Sequence, residues 1–132
     1  MDQDKLRLLE AFLLERREMP FEWGKNDCCL FVADAIRELH NIDFAENFRG
    51  YKTKFGASRR LYAYGGLEKL VDSMLITINR FAAQRGDVIL FPSTGGDALG
   101  LCVGRVFASA GPAGVKFLSM AYAKKAWTCR QR

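Results

Sequence analysis

Four cysteines and one histidine are the residues of this 132-residue chain suited to nucleophilic or metal chemistry. The most informative is Cys28, in the run Trp23-Gly24-Lys25-Asn26-Asp27-Cys28-Cys29-Leu30-Phe31. Leu30, Phe31, Ala35 and Leu39 recur at helical spacing after it, and Asn26 or Asp27 is a natural N-cap. Cys28 therefore stands at a predicted helix N-terminus. Free backbone N–H groups and the helix dipole favour negative charge there and lower a thiol pKa. The competing reading is packing, since a free cysteine is a small and usually buried hydrophobe. Cys29, next door, is expected to point elsewhere.

A thiolate that attacks a carbonyl needs a partner to take its proton and return it to the leaving group. The single imidazole, His40, follows on the same predicted helix, about 18 Å from Cys28 at a rise of about 1.5 Å per residue. Its place at the helix C-terminus suits a structural role. No metal is expected. C-x-x-C pairs and close Cys/His spacings are absent, and Cys28, Cys102 and Cys129 would have to converge from distant parts of the chain. No cofactor is expected either. Gly65-Gly66 and Gly95-Gly96 lack the lysine and threonine of a phosphate loop and read as turns.

The elements that must position Cys28 follow from periodicity. Leu6, Leu9, Phe12 and Leu13 form one stripe of an N-terminal helix within residues 1–19, which Pro20 ends. Residues 20–40 supply an aromatic loop and the helix of Cys28. Residues 41–80 read as a loop or short helix, then a helix of about ten residues starting at a glycine. A turn at Arg85-Gly86-Asp87 leads into a strand from Val88 to Phe91, and Pro92 to Asp97 reads as a loop. Residues 98–110 read as a second strand. A turn at 111–114 and a third strand at 115–123 complete a hairpin, and residues 124–130 are expected to add a short last strand. Helices first and antiparallel strands after define an α+β fold, one domain over 1–132 with its sheet over 85–122.

Composition narrows the class. With 49% hydrophobic residues the chain is neither disordered nor in need of a disulfide framework. No apolar run is long enough to span a membrane. The charged N-terminus is unlike a secretory signal, so folding in a reducing cytosol with free thiols is expected. Residues 1–50 hold seven basic and eleven acidic side chains, residues 51–132 thirteen and four. The basic second half suits an anionic partner. Nucleic acid is not the expected one, because Arg59, Arg60, Tyr62 and Tyr64 and the C-terminal lysines read as solvated surface. Trp23 is expected to pack against the start of its helix, and Trp127, beside the basic tail, is the better interface candidate.

Three landmarks resemble one family. The pattern W-G-x-x-D-C-x-x-F at 23–31 is similar to the nucleophile motif of the NlpC-type cell-wall peptidases, small papain-like cysteine hydrolases that cut peptidoglycan stem peptides. Arg85-Gly86-Asp87-Val88-Ile89-Leu90-Phe91 resembles the family's G-D strand. Ala98-Leu99-Gly100-Leu101-Cys102-Val103-Gly104 resembles its H-V-G-I-Y-V-G strand in every position but the first. The resemblance implies an NlpC-type papain-like fold with N-terminal helices on a small antiparallel sheet. It also implies a nucleophile position at Cys28 and a binding site around Trp23, Asp27 and Ala98. Where the family has its histidine, this chain has Ala98, so Cys28 is expected to be vestigial. Asp97 and Leu99 are expected to turn away from the site, Asp97 swinging inward only if the strand starts later. Ser119 is the nearest counterpart to a third polar residue.

The variant most resembles compact phage- or prophage-borne forms from tail gene clusters. That implies a tail-tip or tail-assembly component, carried in the virion and made in the host cytoplasm. Its implied partners are other phage tail proteins and cell-wall peptide. The alternative is an active cysteine hydrolase that cleaves stem peptides with Cys28 and a base not identified.

Overall fold

The computed structural model describes residues 1–129. Four helices come first in the chain: α1 (Gln3–Arg16), α2 (Cys28–His40), α3 (Lys54–Ala63) and α4 (Leu67–Met74). Six strands follow: β1 (Ile76–Ile78), β2 (Val88–Ser93), β3 (Gly96–Cys102), β4 (Val106–Gly111), β5 (Gly114–Ser119) and β6 (Lys125–Thr128). They form one sheet in the order β1-β6-β2-β3-β4-β5, with every neighbouring pair antiparallel. This is the α+β architecture that the residue pattern implies.

The helix boundaries have local causes. Asp2 caps α1 by accepting from the Lys5 N–H at 2.8 Å, and Pro20 lies just beyond its end. Asp27, of the two candidates, caps α2 by accepting from the Leu30 N–H at 3.0 Å. At the other end of α2, Asn41 takes the left-handed conformation that closes a helix.

Helix α2 is apolar on more than one side because it is covered on two. Phe31, Val32, Ala35 and Ile36 pack with Leu9 and Phe12 of α1 against the sheet residues Val88, Leu90, Leu99, Leu101, Ala108 and Trp127. Leu30 and Ala33 pack with Ala45, Phe48, Tyr51, Ala57 and Leu70. The opposite sheet face carries Ile89, Phe91, Cys102, Phe107 and Ala126. Register keeps the two faces distinct, since Leu90 pairs with Leu99 and Phe91 with Ala98. A slip of one residue would exchange them.

One carboxylate ties the helical layer together. Asp34 of α2, 5% exposed, receives Arg16 of α1 at 2.7 Å, Arg49 at 2.5 Å and Arg37 at 3.3 Å. Arg16 also donates to Asn26, whose amide donates to the Met19 and Pro20 carbonyls. This fixes the loop between α1 and α2, and therefore the angle at which Cys28 enters the helix.

The sheet departs from the sequence reading in five places, one being that the strand expected over 115–123 ends at Ser119 and gives way to a short 3₁₀ helix, Met120–Tyr122. Residues 98–110 are two strands, separated by a turn in which Gly104 has φ 119°, a conformation that favours glycine. Without a proline or a polar cluster, that turn is hidden in an apolar run. The expected loop from Pro92 to Asp97 is a tight hairpin, with Ser93 paired to Gly96. β1 has only three residues, too few to show a period. The last strand, β6, lies inside the sheet between β1 and β2. Among the helices, the segment 41–80 contains α3 and α4, the latter capped by Gly66 and eight residues long.

Candidate functional site

The loop Phe21–Asp27, the first turn of α2 and the β2–β3 hairpin enclose an open groove of about 470 Å³. Cys28, Ala98, Ser109 and Ala110 lie along it, with Phe21, Trp23 and Phe91 among its apolar residues and Lys54 and Lys116 among its charged ones. Three sequence-singled residues, Trp23, Cys28 and Ala98, therefore line one groove.

Asp27 has a different part. It is 1% exposed and both carboxylate oxygens are occupied inside the protein. One accepts from the Leu30 N–H, the other from the Gly24 N–H at 3.0 Å and from the Tyr51 hydroxyl. Gly24 has φ 79°, and a Cβ there would fall 2.0 Å from the Tyr51 carbonyl oxygen. The WG-x-x-D-C spacing is thus a folding device. Gly24 lets the loop lie against residue 51, and Asp27 locks loop, helix and Tyr51 together. Burial, and then the bond to Asp27 and its charge, push the Tyr51 phenol far above its ordinary value, so it remains a donor.

Cys28 and Cys29 do not diverge as expected, for their sulfurs are 4.0 Å apart. A hydrogen bond from the Cys29 thiol is the largest influence on Cys28 and holds its pKa below the ordinary thiol value. Burial and the Asp27 charge oppose this, while the Leu99 backbone supports it. Cys29 is pushed well up, first by that same hydrogen bond and then by burial. The neighbouring thiol and backbone groups thus move Cys28 toward the thiolate relative to a free thiol, and no imidazole lines the groove.

His40 lies at the far end of α2, where its Nδ1 meets the Lys5 ammonium at 3.1 Å. Burial, then the Lys5 charge, lower its pKa against a smaller opposing effect of Asp87. Leu99 turns its side chain into the helix-facing core, as alternation requires. Asp97 lies at the groove rim on β3 rather than in a loop, and Lys124 holds both its carboxylate oxygens at 3.0 Å. Ser119 caps a short turn by accepting from the Ala121 N–H at 3.1 Å. The serine in the groove is Ser109, whose hydroxyl donates to the Leu99 carbonyl at 2.8 Å.

The two tryptophans exchange the roles expected of them. Trp127 is 0% exposed, with its indole N–H donated to Asp72 at 2.9 Å. Trp23 is 37% exposed and rests edge-on against Phe21. Burial of Trp127 follows from the packing of β6 under the helical layer, which a four-residue strand does not announce. Cys102 is buried on the far sheet face and Cys129 packs at the edge of the main core, so neither joins Cys28. Among the described residues no group of three or more His, Cys, Asp or Glu is placed to hold a metal. No described helix is long and apolar enough to cross a membrane.

Lys54, Lys116, Phe91 and Ser109 are groove residues that sequence reasoning did not single out. Phe91 was within reach, because it is the last apolar residue of its strand. The others depend on how α3 and the β4–β5 hairpin fold back.

Helices packed on this antiparallel sheet, with a cysteine opening the central helix, define an NlpC/p60-type papain-like fold. The NlpC/p60 domain of the peptidoglycan hydrolase SagA has the same fold at 16% identity and a TM-score of 0.59, covering 92% of this chain and 97% of that one. An NLP/P60 family protein of Staphylococcus aureus, described as similar to lipoprotein, matches at 18% identity and a TM-score of 0.61. That match covers all of this chain but 43% of the staphylococcal protein, so the chain spans less than half of its length. Over residues 2–129 the chain matches the family described as "Domain of unknown function (DUF6950)", and it belongs to that family. No curated protein matches it.

Proposed function

We propose that this chain is a phage or prophage tail component, acting at the tail tip or in tail assembly, whose peptidase-like domain contacts cell-wall peptide without cleaving it. The observation that carries the loss of catalysis is the composition of the groove. Cys28 lies in it with Ala98, the position that the motif resemblance assigns to the family's histidine, and His40 is at the other end of α2. A thiolate alone can attack but cannot protonate the leaving amine. The tail setting is supported by the resemblance of the three motifs to compact phage-borne forms, and a wall-peptide ligand by the fold.

The specific feature favouring an active hydrolase is the place of Cys28 at the start of α2 in the groove, where the Cys29 thiol lies beside it and shifts its pKa down. Pelleting with purified peptidoglycan sacculi tests the binding reading. The protein is expected to sediment with sacculi and to leave them unsolubilised, and mass spectrometry of purified particles is expected to find it with tail proteins. Protein that stays in the supernatant would overturn the binding role.

A further inference from the structure

The groove beside Cys28 has a charge pattern that the proposed contact with wall peptide does not by itself require. Its charged side chains besides the thiol are Lys54, Asp97 and Lys116. Asp97 is neutralised by Lys124, which takes both carboxylate oxygens. No carboxylate of the described residues pairs with Lys54 or Lys116. Lys116 is held in place by its partner strand, where it is registered opposite Ser109, and by the Phe91 ring, 5.7 Å from its ammonium. Lys54 is the first residue of α3, just after the Thr53 cap.

Two helix N-termini therefore open on the same groove, α2 through Cys28 and α3 through Lys54. Both ends are capped from within, α2 by the Asp27 carboxylate and α3 by the Thr53 hydroxyl, so the positive charge offered to a ligand is that of the two ammonium groups. The remaining lining is uncharged, with Phe21, Trp23 and Phe91 as its large apolar side chains and Ser93 and Ser109 as its hydroxyls. Such a surface fits an extended chain of modest side chains that carries negative charge at two points.

We propose that Lys54 and Lys116 are specificity residues that seat the free carboxylates of an anionic peptide across the groove, with Trp23 and Phe91 covering its apolar part. This rests on the reading of the groove as a wall-peptide site and names what selects the peptide. Ammonium–carboxylate pairs at a part-exposed site are individually modest and screened by salt. Two together discriminate an acid from its amide, and they need no catalytic base.

The test compares two synthetic stem tetrapeptides by calorimetry, one with its carboxylates free and one with them amidated. Wild type is expected to bind the free acid more tightly than the amide, and to lose that preference as sodium chloride is raised. Lys54→Met and Lys116→Met are each expected to weaken binding of the acid about 3- to 5-fold, the scale of one part-exposed ion pair. Circular dichroism spectra and thermal melts of both variants are expected to match wild type, which shows that they remain folded. Equal affinity for acid and amide in wild type, with pelleting on sacculi retained, would overturn the lysine assignment and leave the proposed function standing. Failure of both peptides and sacculi to bind would overturn both.

Discussion

The Tyr51 hydroxyl donates to the carboxylate of Asp27, the residue that caps the helix opened by Cys28. The groove is thus anchored by a bond between residues 24 apart in the chain. Removing the hydroxyl leaves a buried carboxylate oxygen short of a donor. Tyr51→Phe is expected to cost about 1–3 kcal/mol in urea unfolding, the range for depriving a buried acceptor of its donor. A loss below about 0.5 kcal/mol would show that Asp27 is held by its backbone partners alone.

His40 sets a pH dependence whose sign is determined. Its folded pKa lies below the ordinary value because burial and Lys5 disfavour the imidazolium. The unfolded chain therefore binds more protons in the acidic window. The contribution of His40 to stability is present above its unfolded pKa, about 6.5, and is lost as pH falls through the lower folded value. Thermal melts between pH 8 and 5 are expected to show Tm falling with acid, and His40→Gln to flatten that slope. As the chain has one histidine, no other imidazole competes for this signal. An unchanged slope in the variant would place its origin elsewhere.

Cys29 controls Cys28 through the hydrogen bond between their thiols. In wild type, iodoacetamide alkylation of Cys28 across pH 6–10 is expected to have its midpoint below the ordinary thiol value. Cys29→Ala removes the largest cause of that lowering and is expected to move the midpoint up. Peptide mapping separates the two sites. A midpoint that does not move would assign the effect to the backbone of Leu99 and the helix terminus.

The site was legible wherever it was local. Asp27 as cap, Cys28 at the first turn and the remoteness of His40 all follow from spacing along one helix. The residues that complete the groove come from elsewhere in the chain. Lys54 arrives because α3 folds back beside the loop that holds Trp23, and Lys116 because β5 returns along β4. Neither lies at a spacing that links it to Cys28. The fold was legible at the level of class, since the change from helical to alternating period near residue 85 separates helices from most of the sheet. Strand boundaries were less so. Val103-Gly104-Arg105 interrupts an apolar run with a turn that a single glycine makes possible, and β1 is too short to carry alternation. Trp23 and Trp127 show the same limit from the other side. Whether a tryptophan is buried depends on what lies above it, and Trp127 is covered because it belongs to the core between sheet and helices, beside Val71 and Asp72 of α4.

We propose that the groove holds its cysteine without the base that would complete hydrolysis. The most direct measurement is release of soluble peptide fragments from purified sacculi, by wild type and by Cys28→Ala side by side. The expected result is release indistinguishable from buffer for both proteins. Release by wild type that Cys28→Ala abolishes would contradict the claim and establish a cysteine hydrolase with a base outside the pattern described.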